Sequence, residues 1–107
     1  MTSSGLSAAT NDNVTGNSSG SIYQIQVDNS ANESQAVYLK IFDGATATPG
    51  TSIPNLTLQI SGGKKMTFLM GDGHPYTSGV SLWCTTGAGV SATSNPSKSV
   101  SLNLLAS

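Results

Sequence analysis

The chain has 107 residues, the size of one domain, with 8% charged residues, no arginine and a formal net charge of −1. That balance excludes the basic footprint needed to displace counterions from nucleic-acid phosphates, and the basic amphipathic stretch of a membrane-surface helix. No apolar run is long enough to cross a bilayer, and a lone cysteine, Cys84, excludes an internal disulfide.

Serine and threonine supply 18 and 12 residues and glycine another 12, a composition that disfavours helix and suits turns and strands. Residues 1–20 read as a polar N-terminal arm with neither a positive n-region nor an apolar h-region, so not as a signal peptide. Such a segment buries too little surface to order alone. It is expected to be a tail or to order against a partner, with Leu6 and Val14 as its apolar contacts.

The remaining residues, 21–107, are predicted to form one domain. In "SIYQIQVDN" a period of two puts Tyr23, Ile25 and Val27 on one face and Gln24 and Gln26 on the other. "QAVYLKIFD" follows, with Val37, Leu39 and Ile41 inward and Tyr38, Lys40 and Phe42 opposite. "GATATPGTSIPN" is a loop. "LTLQI" presents Leu56, Leu58 and Ile60, "SGGKK" turns, and "MTFLM" presents Met66, Phe68 and Met70. "GDGHPYTS" reads as a loop. In "GVSLWCTT", Val80, Leu82 and Cys84 share one face and Ser81 and Trp83 the other. "GAGVSATSNPSK" is a long loop, and "SVSLNLL" closes the chain with Val100, Leu102 and Leu104 inward. Short alternating strands with Gly/Pro turns predict an all-β fold, a single antiparallel β-sandwich of jelly-roll-like form.

The rare residues gather in "GDGHPYTSGVSLWC", which holds the only histidine, tryptophan and cysteine. His74 has Asp72 two residues away, but no nucleophile elbow accompanies them. A loop histidine before a proline is the simpler reading, and no enzyme is expected. The acids Asp12, Asp28, Glu33, Asp43 and Asp72 are scattered and mostly at strand ends. A calcium site from Asp28, Glu33 and Asp43 competes with plain turn chemistry, which is the favoured reading; no metal and no cofactor are expected. Four N-x-S/T sequons, at Asn13, Asn17, Asn32 and Asn55, read as chance matches in so hydroxyl-rich a chain. Trp83 is open to two readings, core or contact. With Tyr38 and Phe42 it places large aromatics on second faces of strands, which points to burial against another subunit.

"QAVYLKIFDGATATPGTSIPNLTLQISGG" followed by "TSGVSLWCTTGAG" resembles a family of small tailed-phage virion proteins over about residues 21–105. "GDGHPY" and the first twenty residues depart from that pattern. The resemblance implies a capsid decoration (cement) protein that stabilises the expanded shell as a homotrimer. Its partner would be the major capsid protein, and it would be made in the host cytoplasm and located on the virion surface. Tyr38, Phe42, Tyr76 and Trp83 are then interface candidates, and Leu6 and Val14 would meet the capsid. The alternative is a tail or fibre module binding host-surface glycan through an exposed Trp83, Tyr76 and His74.

Overall fold

The structure is a computed structural model and describes residues 2–6, 12–13, 19–44, 46–98 and 100–106. The described residues form eight strands and no helix: β1 (Thr2–Leu6), β2 (Asp12–Asn13), β3 (Gly20–Asp28), β4 (Val37–Asp43), β5 (Leu56–Ile60), β6 (Lys65–Tyr76), β7 (Val80–Thr85) and β8 (Val100–Ala106). They make two antiparallel sheets: sheet A in the order β1-β8-β3-β6 and sheet B in the order β2-β7-β4-β5. The pairing is nested. β4 pairs with β5, β3 with β6, β2 with β7 and β1 with β8, as in a long hairpin folded at the β4–β5 loop and rolled up. This is the jelly-roll order, a β-sandwich.

Period-two patterning positions the core. Ile22, Ile25, Val27, Val37, Leu39, Ile41, Ile60, Val80, Leu82, Cys84, Val100, Leu102 and Leu104 are all buried between the sheets. Residues 2–6 and 12–13, read as part of a polar arm, pair with this chain's own β8 and β7. A polar stretch can join a sheet in this way because the ladder is made by backbone groups, whatever the side chains. Leu6 lies opposite Val100. Val14 lies outside the described residues.

Two expectations for β3 and β6 are corrected. "GDGHPY" is not a loop: β6 continues through it to Tyr76. Ile22 pairs with His74 and Gln24 with Leu69, so four residues of β6, Met70 to Gly73, bulge opposite Tyr23 alone. Gly73 makes the bulge possible. Its φ is +82°, and a Cβ there would sit 2.9 Å from Ser21 Cβ and 3.0 Å from Tyr23 Cε1. Pro75 is tolerated because β6 is an edge strand. The bulge also shifts the phase of β3. Ile22 and Ile25 both turn inward, and Tyr23 points out, 41% exposed.

At one end of the sandwich, Asn29 and Asn32 form a buried hub. Asn29 Nδ2 donates to the carbonyls of Gln35 (2.9 Å) and Ser61 (3.2 Å). Asn32 Nδ2 donates to Asn29 Oδ1 (2.8 Å) and to the Lys98 carbonyl (3.1 Å), and its Oδ1 accepts from the Lys98 N–H (2.7 Å). Three connections, around residues 29–35, 61–64 and 97–98, are thereby tied together. The Asn32 sequon is therefore buried, its side chain committed to the fold.

Candidate interaction surfaces

The outer face of sheet B carries the second-face aromatics. Lys40 on β4 is paired in register with Trp83 on β7, Phe42 with Ser81 and Tyr38 with Thr85. Trp83 is fully buried yet stands outside the inter-sheet core. Its cover is the chain's own connections. Lys40 Nζ donates to the Gly89 carbonyl at 2.5 Å, which brings the 86–98 loop across this face. The 46–55 loop meets it there, since a Cβ on Gly50 would lie 2.7 Å from Thr93 Cγ2. The expected burial of Trp83 against another subunit is corrected: the covering surface belongs to the same chain. The contact role proposed for Trp83 fails for the same reason, because a side chain at 0% exposure reaches no partner.

That burial has two costs. The Trp83 Nε1–H has no hydrogen-bond partner among the described residues, and a buried donor left unmade costs about 1–3 kcal/mol. Lys40 is fully buried, and no carboxylate faces it among the described residues. Desolvation pushes its ammonium below the ordinary lysine value of 10.5. Cys84, on the inner face of the same sheet, is pushed up by burial to about 12 and is an inert thiol at neutral pH. Tyr38 and Phe42 flank this covered patch and are only partly buried, with the Phe42 ring lying over Gly44. They are the two aromatic candidates still within reach of a partner.

Tyr76, the fourth candidate, is a core residue at 3% exposure. It closes the end of the sandwich where Asp43 pins the β6–β7 turn. The Asp43 carboxylate accepts from the N–H groups of Thr77 and Ser78, each at 2.9 Å, and from Thr77 Oγ1 at 3.1 Å. Those bonds, led by the Ser78 N–H, hold its carboxyl below the ordinary range, and the charge of nearby His74 adds a little. The carboxylate that senses His74 is thus Asp43, and it is occupied with backbone. His74, Asp43 and Asn55 border only a shallow cleft with Phe42, Pro75 and Tyr76. Asp28 likewise serves Ser30, at the opposite end of β3. Among the described residues no three His, Cys, Asp or Glu side chains gather at metal-binding range. With Trp83 and Tyr76 both buried, the stacking rim required for a glycan module is absent among the named residues.

Among the described residues, no loop covers the outer face of sheet A. Across it run three cross-strand rows: Lys65–Asp28–Ser101, Thr67–Gln26–Asn103 and Leu69–Gln24–Leu105. The first row contains an exposed ion pair, Lys65 Nζ to Asp28 Oδ2 at 3.8 Å, worth little in stability. The last row is apolar and open. Leu69 is 75% exposed and Leu105 59%, with Tyr23 beside them. Sequence alternation placed these leucines on the outer side of their strands, but gave no sign that this face would stay open while the other was covered. A scan of protein families, a search of curated proteins and a search of solved structures each find no match to this chain.

Proposed function

We propose that the chain is a capsid decoration protein of a tailed phage, docking on the expanded shell and bracing neighbouring copies of the major capsid protein. The observation that carries the reading is the open face of sheet A: beyond the Lys65–Asp28 ion pair at one end, it presents Thr67, Gln26 and Asn103 and then Leu69, Leu105 and Tyr23. Exposed apolar side chains beside rows of hydrogen-bonding ones give a partner both surface to desolvate and groups to pair with. A contact of about 800 Å² per partner would suffice, and several copies held together gain avidity by effective concentration. The charge-poor composition, the jelly-roll topology and the strand-and-turn motifs quoted above support the same reading. In it the protein acts mechanically and has no catalytic role.

The test is co-sedimentation of the purified chain with expanded and with unexpanded capsids built from the major capsid protein encoded alongside it. Binding to expanded capsids, lost when Leu69 and Leu105 are both changed to serine, is expected. Failure to bind either capsid form overturns the proposal.

A further inference from the structure

We infer that the side of the jelly roll where β5 and β6 end the two sheets is the docking site for a second copy of this chain. Among the described strands β5 pairs only with β4 and β6 only with β3, so β5 and the Met66–Met70 half of β6 each turn one ladder edge away from their sheet. The four-residue turn 61–64 carries the chain directly from β5 in sheet B to β6 in sheet A, so both free edges lie on the same side. Between them runs an incompletely closed seam. Leu56 and Leu58 from β5, and Met66, Phe68 and Met70 from β6, pack against the core but are only partly buried.

Natural edges are usually guarded by charge, proline or a bulge. The far half of β6 is guarded in this way, by the bulge at Met70–Gly73 and by Pro75. The near half opens with the exposed Lys65, but Met66–Met70 and the whole of β5 contain no charged residue, no proline and no glycine. An edge left open at this point in an otherwise managed sheet is a template for another strand.

A second copy suits it because one symmetry operation completes everything at once. A two-fold axis perpendicular to the sheets sets β5 beside its own image and β6 beside its own image, both antiparallel. The same operation closes the seam against an identical seam, where methionines adapt to fill gaps. No like charges meet, since the paired segments carry none. The protein measures 35 × 27 × 19 Å, so one whole side is comparable to the ~800 Å² that each partner buries in a standard interface.

The inference rests on the reading of this chain as an assembly protein, yet fails separately from it. A monomer that still binds capsids sinks the pairing alone, and a pair that ignores capsids sinks the capsid reading alone. The experiment is native mass spectrometry and sedimentation of the full chain at tens of micromolar, with Thr57→Lys/Gln59→Lys as the variant. Both positions are exposed on β5, but Thr57 pairs in register with the buried Lys40, so Gln59→Lys alone is run beside the double variant as the change that adds no charge next to Lys40. Across the two-fold axis the new lysines would face each other, weakening the pair by about tenfold or more. Expected are a pair of 10.8 kDa chains for the parent, a monomer with an unchanged circular-dichroism spectrum for the lysine variant, and restored pairing when it is mixed with Thr57→Glu/Gln59→Glu. A monomeric parent, a trimer, or an oligomer indifferent to the lysines overturns the inference.

Discussion

The outer faces of sheets A and B are made from similar alternating strands, yet over β4 and β7 sheet B is roofed by its own loops, while among the described residues sheet A has no such cover. The difference lies in the connections. The loop after β7 spans residues 86–98 and the loop after β4 spans 44–55, and both return across sheet B. Of the described connections that leave sheet A, 29–36 is tied down at one end of the sandwich by Asn29 and Asn32, and 77–79 is a tight turn pinned by Asp43, so neither returns across that face. A tryptophan and even a lysine can therefore sit fully buried on one face, while two leucines stand open on the other. In a sandwich this small, the fate of an outward-facing side chain depends on which loop returns over it more than on its own polarity.

The sharpest way to break the contrast is to empty the covered face. Trp83→Ala is expected to cost about 3–5 kcal/mol, the range for a fully buried large aromatic, read by urea unfolding. A value near zero would mean that the cover does not hold the indole in solution. Next in size is Asn32→Ala, which unties the hem of the 86–98 loop. It leaves the Lys98 N–H and carbonyl without their partner. A loss of about 1–3 kcal/mol is expected, with faster amide exchange through residues 86–98.

Lys40→Met acts in the opposite direction. It removes a desolvated ammonium and fills the same volume, while the Gly89 carbonyl keeps the Ala92 N–H at 3.1 Å. A gain of about 1 kcal/mol is expected at neutral pH. The sign with pH follows from the direction of the shift. The folded chain releases the Lys40 proton at a lower pH than the unfolded chain does, so the parent gains stability as pH rises towards 10.5. The advantage of the methionine variant should therefore shrink over that window. Cys84 works against the parent there: stability is full below pH 9 and falls as pH climbs towards about 12, because only the unfolded chain ionises the thiol readily. Combining both chains with Cys84→Val isolates the lysine.

The smallest effect on stability belongs to the bare face. Leu69→Ser/Leu105→Ser should change unfolding by no more than about 0.5 kcal/mol, because both side chains are already in water. Its effect should fall on capsid binding alone. A large loss of stability would mean that the two leucines are covered in solution.

Much of the fold was legible because a buried face imposes a strict period of two. Val37, Leu39 and Ile41, then Val80, Leu82 and Cys84, then Val100, Leu102 and Leu104 all lie where alternation put them. Alternation fails where the ladder is irregular. The bulge opposite Tyr23 reversed the direction of that residue and turned "GDGHPY" into strand, and a bulge is a property of two strands together. The strands of the first thirteen residues were hidden for another reason, since backbone pairing leaves no mark on side-chain hydrophobicity. The Asn29–Asn32 hub was equally invisible, because its partners are carbonyls and N–H groups far along the chain. Lys40 is the one sequence mark of the covered face. A lysine at the centre of an otherwise apolar run, flanked on its own face by two aromatics, marks a face that something covers.

The unpaired indole beneath that cover has a practical consequence. Trp83 is the only tryptophan, so emission excited beyond the tyrosine absorption band comes from one place, sealed from water and, among the described residues, without a hydrogen bond to its N–H. The folded chain should fluoresce at short wavelength, and any event that lifts the 86–98 loop should redden the spectrum before the sandwich itself comes apart. The molecule thus carries its own optical gauge of the loop, which needs no label and can be read while the protein is bound to a particle.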